Sequence, residues 1–170
     1  MYMVQAFNVN IMAVGTSVFA IYGVGVFGAL FSGAVIDFFL VRGYSRNRII
    51  KGNMACLGVL MATFMYLLTT VETIFLATVC LALALFCVEW MASITWTMPP
   101  VISQRGDIGV VAAAMNTVGN LAGVFMPILL GFIVTLSGGD YYWALLSFVG
   151  FALAIPVFGF LVDLGRKVTA

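Results

Sequence analysis

The chain has 170 residues, of which 64% are hydrophobic and 8% are charged, and its mean hydropathy is +1.20. Soluble domains carry about a quarter charged residues, so this composition excludes a water-soluble globular protein. Seven basic and six acidic residues leave a net charge of +1, which excludes the strong positive field of a nucleic-acid-binding protein.

The sequence offers little for metal binding or disulfide formation. Histidine is absent, and Cys56, Cys80 and Cys87 stand singly among apolar residues. Zinc-type metal sites and disulfide frameworks both require suitably spaced or paired groups. We therefore expect no metal, no cofactor and no disulfide framework.

Long uncharged runs follow one another along the chain and predict its elements. Residues 1–36 contain no charge, and further uncharged runs cover 52–71, 73–88, 108–139 and 141–162. About 20 apolar residues cross the bilayer hydrocarbon as a helix, which satisfies its own backbone hydrogen bonds. We predict an all-α, polytopic transmembrane helix bundle that forms a single domain over 1–170. Its five spans are predicted near 12–39, 50–71, 73–98, 109–136 and 141–163.

All seven basic residues lie in alternate connecting segments. The basic residues follow the first, third and fifth spans: Arg42, Arg46, Arg48, Lys51, Arg105, Arg166 and Lys167. The other two loops hold Glu72 and Asp140. Because cytoplasmic loops retain an excess of Lys and Arg, we predict a multi-pass protein of the cell (inner) membrane. Its N-terminus is expected outside and its C-terminus in the cytoplasm.

The first span contains two overlapping glycine patterns. Residues 23–28, GVGVFG, match the letters of the dinucleotide-binding fingerprint, which requires a strand-to-helix turn. No βαβ pattern surrounds these residues, so we favour a packing face instead. Gly25, Ala29, Gly33 and Asp37 recur every four residues and predict one side where another helix approaches closely.

Glu89 interrupts the third span at membrane depth. It lies about 14 Å from the expected inner end at Met98, and no Lys or Arg of the five spans lies at that depth. We expect its carboxyl to be neutral, exposed to water or paired with a group outside this chain. A carboxyl that loads and releases a proton as water access changes is typical of proton-coupled transport. The structural alternative is a neutral Glu bonded to a neighbouring helix.

Polar side chains also recur on the third and fourth spans. Ser93 and Thr97 follow Glu89 at spacings of four, and Asn116 and Asn120 show the same spacing on the fourth span. Glu89, Asn116 and Asn120 share the midplane layer of the membrane, so the two stripes are predicted to face each other across a cavity. For the asparagines, hydrogen bonding that only joins helices is the simpler alternative.

The fourth span carries a second small-residue pattern. Gly123, Pro127 and Gly131 continue the line of the two asparagines at steps of three, four and four. Small residues allow helices to approach closely in a membrane. We therefore predict a protein-facing side on this span.

Two segments resemble the major facilitator superfamily of transporters, especially its anion:cation symporter family. Residues 33–37, GAVID, with Arg42-Gly43-Tyr44-Ser45 and Lys51, resemble the cytoplasmic loop between helices eight and nine. Residues 116–123, NTVGNLAG, are similar to the eleventh helix of that family. The resemblance runs from about residue 2 to residue 163. It makes the five spans helices eight to twelve of a twelve-helix carrier, so the N-terminal half is expected to be missing.

The resemblance implies a secondary transporter for a small organic anion, such as a sugar acid or another carboxylate, that is driven by protons and works by alternating access. It implies substrate contacts at Thr95 and Thr97 and at Asn116 or Asn120, and Ser93 on the polar stripe is a further candidate. The family's arginine for the substrate carboxylate and its usual coupling acid belong to the other half. Within this chain, Glu89 is our candidate for proton coupling.

The same resemblance implies a gating role for the loop after the first span. Asp37, Arg42 and Arg46 match the cytoplasmic loop that latches the inner gate. A carboxylate near a helix end can pair with basic groups in one conformation and lose them in another.

Two other classes of protein remain as alternatives. A non-transport, five-helix assembly or interaction subunit would use its glycine faces to bind other helices. An intramembrane enzyme based on Glu89 would need a second catalytic group, such as a paired acid or a nucleophile with a base, and the sequence supplies none. We therefore expect no enzymatic activity, and the coding sequence upstream of Met1 separates the first alternative from the carrier.

Overall fold

The described part of the chain is built from α-helices. The computed structural model describes residues 2–7, 9–104 and 106–161. The helices are α1 (Tyr2–Phe7), α2 (Ile11–Val41), α3 (Arg46–Leu68), α4 (Ile74–Trp96), α5 (Pro99–Ile102), α6 (Ile108–Leu136) and α7 (Tyr142–Leu161). Five segments, with α4 and α5 taken together, are long and apolar enough to cross a membrane. This confirms the predicted all-α fold with five spans.

Local chemistry explains several helix ends. The side-chain oxygen of Asn10 accepts a hydrogen bond from the Ala13 N–H at 2.8 Å, which caps the start of α2. Gly43, with φ of +84°, follows the end of α2 in a conformation that glycine adopts easily. Pro99 starts the short helix α5, because proline fits a first helical turn and cannot continue a preceding helix.

Four of the long helices pack side by side in the order α2, α4, α3 and α7. Two clusters of buried side chains fill the row. One contains Ile36, Ile49, Ile50, Leu57, Cys87, Met91, Ile94 and Met98, and the other contains Met65, Leu68, Ala77, Cys80 and Ala84. Helix α4 contributes to both clusters, so its polar residues lie at the centre of the packed part of the bundle.

The contact between α2 and α4 depends on glycine. A Cβ atom added at Gly28 would lie 2.3 Å from the carbonyl oxygen of Phe86, so the two helix backbones meet at this point. The predicted packing face of α2 includes Gly25 correctly, but Gly33 and Asp37 are exposed. A step of four residues turns a helix by about 400°, so a strict spacing of four drifts about 40° per step away from one face. The buried side follows mixed steps of four and three: Ile21, Gly25, Gly28, Ser32 and Ile36.

Helix α7 is attached to α3 by equally close contacts. A Cβ atom at Gly58 would lie 2.7 Å from Pro156 Cδ and 3.0 Å from the carbonyl oxygen of Ala152. At the end of α7, Lys51 Nζ donates a hydrogen bond to the carbonyl oxygen of Phe160 at 3.1 Å. Carbonyls in the last turn of a helix lack helical donors, so the ammonium group satisfies one of them.

Helix α6 differs from the other long helices because none of its residues is buried. It packs weakly against α5 and α7. Positions 119, 123 and 131 are glycines with no atom within 4 Å of an added Cβ. The protein-facing side predicted for this span therefore meets no other helix in the described residues.

The charged loop residues separate to the two ends of the bundle. Glu72 and Asp140 line the same cavity of about 810 Å³, although they lie far apart in the sequence. Lys51 lies near the end of α7, and the 23-residue helix α3 separates it from Glu72. Residues Arg105, Arg166 and Lys167 lie outside the described residues. The membrane side that each end faces stays a prediction.

Candidate functional site

Glu89 lies on the side of α4 that packs against α2. Its Cγ atom is 3.3 Å from the position of a Cβ at Gly25, and Leu85 Cδ2 is 3.1 Å from the same position. The Glu89 side chain is half-buried. Within residues 2–7, 9–104 and 106–161, no hydrogen bond or ion pair engages its carboxyl group. The stem is thus packed between helices, while the acid group has no fixed partner there.

One turn further along α4, a carbonyl of α2 accepts two hydroxyl groups. Ser32 Oγ donates to the Ala29 oxygen at 2.8 Å, and Ser93 Oγ donates to it at 3.4 Å. Ser32 is fully buried, so this carbonyl lies in the interior of the contact. We call Gly25, Ala29, Ser32, Glu89 and Ser93 together the α2–α4 seam. It is a polar strip inside an otherwise apolar helix contact.

Thr95 and Thr97 use their hydroxyl hydrogens within their own helix. Thr95 Oγ1 donates to the Met91 carbonyl at 2.9 Å, and Thr97 Oγ1 donates to the Ile94 carbonyl at 2.7 Å. Each hydroxyl oxygen keeps lone pairs that can accept further hydrogen bonds. In this conformation the two threonines are suited to accept from a substrate hydroxyl group, but not to donate to a carboxylate.

The two asparagines of α6 bond to each other. Asn120 Nδ2 donates to the Asn116 carbonyl oxygen at 2.9 Å and to Asn116 Oδ1 at 3.1 Å. Both side chains are exposed. In the part of the chain that the structure describes, no hydrogen bond uses Asn116 Nδ2. Asn116 therefore presents an amide donor, and Asn120 presents an acceptor oxygen.

The structure does not bring the two predicted polar stripes together. Ser93 bonds to α2, and the Glu89 stem lies against α2, whereas α6 packs against α5 and α7. Glu89 and Ser93 of the α4 stripe therefore face α2, and a cavity between the two stripes stays a prediction. The physical reason is that Gly25 and Gly28 allow α2 to approach this side of α4 closely, so α2 occupies it.

The candidate gating residues lie at the basic end of the bundle. Asp37 is exposed in the last two turns of α2, and Arg46 is exposed at the start of α3. The Arg42 guanidinium carbon lies 3.8 Å from the centre of the Phe38 ring, a cation–π contact. Among the described residues, Asp37 forms no ion pair. Its carboxylate is thus accessible to a partner.

Apolar cavities adjoin the N-terminal half of α4. One of about 350 Å³ lies between α2, α3 and α4 and is lined by Tyr22, Met61 and Leu85 among others. Another of about 460 Å³ brings Leu130 and Gly131 of α6 near the start of α2. Their linings are mostly apolar, so they offer no obvious set of donors for an anion.

Sequence reasoning missed the contact between Gly25 and Glu89 and the surroundings of Trp90. The ring of Trp90 lies 5.5 Å from that of Phe86 in an edge contact. Its indole N–H, however, is buried and has no acceptor in the described part of the chain. No signal in a single sequence could identify these neighbours, because spacing along one helix does not tell which other helix it meets.

A transporter is among the known proteins whose sequences are similar to this chain. The chain is 26% identical over 164 residues to the probable galactarate/D-glucarate transporter GudP of Bacillus subtilis (strain 168). The aligned region covers 96% of this chain and 35% of that protein, so the chain spans about a third of the length of this relative. No protein-family model matches the chain.

Proposed function

We propose that this chain is part of a secondary transporter of the major facilitator superfamily that carries a small organic anion, such as a sugar acid, across the cell's inner membrane. The observation that carries the proposal is the similarity to a galactarate/D-glucarate transporter, which extends over 96% of the chain. That alignment covers 35% of the relative. We further propose that the rest of the carrier covers the exposed side of α6.

The described side chains suit the chemistry of a sugar acid. A carboxylate accepts hydrogen bonds, and Asn116 Nδ2 is a donor without a partner in the described residues. Sugar hydroxyl groups also donate, and Asn120 Oδ1, Thr95 Oγ1 and Thr97 Oγ1 have lone pairs to accept them. Ser93, one turn before Thr97 on α4, is the fifth candidate for substrate contact. The bound anion would join the exposed amides of α6 to the polar end of α4 as the carrier closes.

Glu89 is the proposed proton-coupling group. Its side chain is half-buried, and its carboxyl has no cationic partner among the described residues. Access of water from one side would allow the proton to leave, and access from the other side would allow reloading. Asp37, Arg42 and Arg46 are proposed to form and break contacts of the inner gate during this cycle.

Uptake of sugar acids by membrane vesicles tests the proposal. The complete gene product that contains this sequence is expressed, and uptake of labelled galactarate or D-glucarate is measured with and without an inward proton gradient. We expect saturable uptake that the gradient increases. Absence of uptake, with the protein present in the membrane, would contradict the transport function. It would favour the alternative of an interaction subunit, for which the uncovered side of α6 is the supporting feature.

Replacing Glu89 tests the coupling role. Glu89→Gln keeps the size and hydrogen-bonding capacity of the side chain but removes its titration. We expect uptake to lose its dependence on pH and on the proton gradient, while the amount of protein in the membrane stays unchanged. Glu72→Gln is the matched control, because Glu72 is exposed at the far end of α3. If Glu89→Gln retains the normal pH profile, Glu89 has a structural role only.

Cysteine labelling tests the predicted orientation. Arg46→Cys and Asp140→Cys are introduced separately after Cys56, Cys80 and Cys87 have been replaced by alanine. A membrane-impermeant maleimide added outside intact cells is expected to label the variant at 140 and not the variant at 46, because cytoplasmic loops retain basic residues. Labelling of the variant at 46 from outside would reverse the topology.

A further inference from the structure

A groove separates α2 from α3 close to the loop that joins them. Both helices pack against α4, and they contact each other only weakly. The space between them is a cavity of about 410 Å³, and small-ligand sites occupy about 300–1,000 Å³. We call this cavity the α2–α3 groove and define it by Val35 and Phe39 of α2, Tyr44 of the loop, and Arg48 and Cys56 of α3.

The α2–α3 groove changes in character along α3. Arg48 lines it near the start of this helix, and Cys56 lines it two helical turns further on. At about 1.5 Å per residue, these two positions are about 12 Å apart along the helix axis. Val35 and Phe39 form the opposite, apolar wall on α2. The groove therefore has room for a molecule with a charged group at one end and an apolar chain at the other.

Arg48 differs from neighbouring basic residues in what surrounds it. The Arg42 guanidinium carbon lies 3.8 Å from the centre of the Phe38 ring, and Lys51 Nζ donates to the Phe160 carbonyl oxygen at 3.1 Å. Arg48 lines the groove, and no hydrogen bond or ion pair within the described part of the chain engages its guanidinium group. Its N–H groups are therefore left to donate to a ligand.

Two neutral donors accompany Arg48 in the groove. Tyr44 packs edge-on against Phe39, with ring centroids 5.5 Å apart, and its hydroxyl group can donate a hydrogen bond. Asn53 Nδ2 donates one hydrogen to the Ile49 carbonyl oxygen at 2.9 Å and keeps a second one. Together with the guanidinium group, these donors suit phosphate oxygens, which accept hydrogen bonds.

None of the described residues that line the groove is acidic. Asp37 lies between the wall residues Val35 and Phe39 in the sequence, and it is exposed. Two residues turn a helix by about 200°, so a residue midway between two wall residues lies on another side of α2. The charge of the groove is therefore complementary to an anion.

We propose that the α2–α3 groove binds an anionic phospholipid, with the phosphate at Arg48 and one acyl chain along the apolar wall toward Cys56. Arginine binds phosphate oxygens with two parallel hydrogen bonds, and basic pockets between transmembrane helices bind phospholipid head groups. A phospholipid supplies the negative charge and the apolar chain in one molecule, which matches both parts of the groove. The proposal goes beyond transport and does not depend on it.

Cross-linking of a photoreactive lipid tests the proposal. The complete gene product is reconstituted in phosphatidylcholine vesicles that contain a small fraction of phosphatidylglycerol with a diazirine in one acyl chain. After irradiation, mass spectrometry measures the adducts on peptides that contain residues 35–39 and 49–56, relative to the amount of protein. Because the probe is dilute, the adduct yield follows the affinity.

Two pairs of matched variants separate the charge of the groove from its space. Arg48→Gln removes the charge in the groove, and Arg46→Gln removes an exposed charge on the same turn that does not line it. Gly52 lines the groove, and a Cβ added there meets no atom within 4 Å, so the side chain of Gly52→Leu extends into the groove. Gly33→Leu is the control, because Gly33 also faces open space but does not line the groove.

We expect adducts that excess unlabelled phosphatidylglycerol suppresses, whereas equal amounts of phosphatidylcholine or inorganic phosphate do not. Arg48→Gln should lower the yield about tenfold, which corresponds to the loss of a hydrogen bond to a charged group. Gly52→Leu should lower it to the level that remains with the unlabelled competitor. Arg46→Gln and Gly33→Leu should keep the yield of the unchanged protein.

Several results would overturn the binding of an anionic phospholipid. They are equal suppression by phosphatidylcholine, an equal loss in Arg46→Gln, and adducts that survive Arg48→Gln or Gly52→Leu. Suppression by inorganic phosphate would show a phosphate site without a lipid, and absence of adducts would show that no lipid enters the groove. Adducts are measured without a transported substrate, so a failure of sugar-acid uptake would leave this result unaffected.

Discussion

Helices α2 and α6 have similar length and glycine content but opposite surroundings. Helix α2 has 31 residues and α6 has 29, and both carry glycines at helical spacing. In α2, Gly25 and Gly28 lie against α4, whereas Gly123 and Gly131 of α6 face open space. The comparison shows that a face of small residues indicates where another helix can pack closely. It does not tell whether that other helix lies within this chain.

Membrane energetics explain why both arrangements are acceptable. Lipid tails are as apolar as the side chains of α6, so exposing that helix carries little of the penalty that water would impose. The polar groups of α6 are the exception, and Asn116 and Asn120 reduce that cost by bonding to each other. Close contact in α2–α4, in contrast, depends on packing that only glycine allows. Substitutions should therefore have very different effects in the two regions.

The largest effect is expected at the backbone contact of α2 with α4. Gly28→Ala places a methyl group 2.3 Å from the Phe86 carbonyl oxygen, so the helices must separate. Overpacking of this kind costs about 1–3 kcal/mol, and a contact with rigid backbone belongs at the upper end. Thermal unfolding in detergent should show a strongly lowered midpoint. Gly33→Ala is the control, and equal stability of the two variants would contradict the close contact.

An intermediate effect is expected for substitutions on α6, and it concerns substrate uptake rather than helix packing. Asn116→Ala removes the unused amide donor and should raise the KM for the sugar acid about tenfold, which corresponds to one hydrogen bond to a charged group. Asn120→Ala should raise it less, about threefold, because its amino group already bonds to Asn116. Uptake kinetics normalised to protein abundance measure both. If uptake and abundance fall together, the asparagines serve packing.

The smallest effect is expected at the end of α7. Lys51→Met keeps most of the aliphatic stem but removes the hydrogen bond to the Phe160 carbonyl oxygen, with a loss of about 1 kcal/mol. For a protein of this size the thermal midpoint should fall by about 2–4 °C. Arg48→Met, an exposed change in the same basic segment, should leave it unchanged. An equal fall in both variants would indicate a general effect of charge.

The elements of this fold could be predicted from sequence because the bilayer imposes a length. Uncharged runs of about 20 residues and breaks such as Pro99 are visible without any knowledge of contacts. The start of the second span was harder to predict. Arg46 already lies in α3, whereas the predicted span begins near residue 50, because a membrane helix continues into the polar interface where basic residues are tolerated.

The candidate site could be predicted only in part. Glu89 is visible in the sequence because it interrupts an apolar span, and its local partners on α4 follow from helical spacing. Its neighbour on α2, Gly25, cannot be predicted from the spacing of residues on α4. The side of α2 on which a residue lies depends on the rotation accumulated along that helix. The drift from Gly25 to the exposed Gly33 shows how two steps of four change the side that a residue occupies.

The contact of Gly58 with Pro156 links two positions that lie far apart in the chain. Proline has no N–H, so the carbonyl of Ala152, one turn earlier in α7, lacks its usual helical donor and lies instead near Gly58. Gly58 thus provides the space for the proline ring and exposes Cα hydrogens to that carbonyl. A larger residue at 58 becomes acceptable only when residue 156 also changes. In evolution these two sites should vary as a pair, and their joint replacement would mark a lineage in which α3 and α7 have adopted a different spacing.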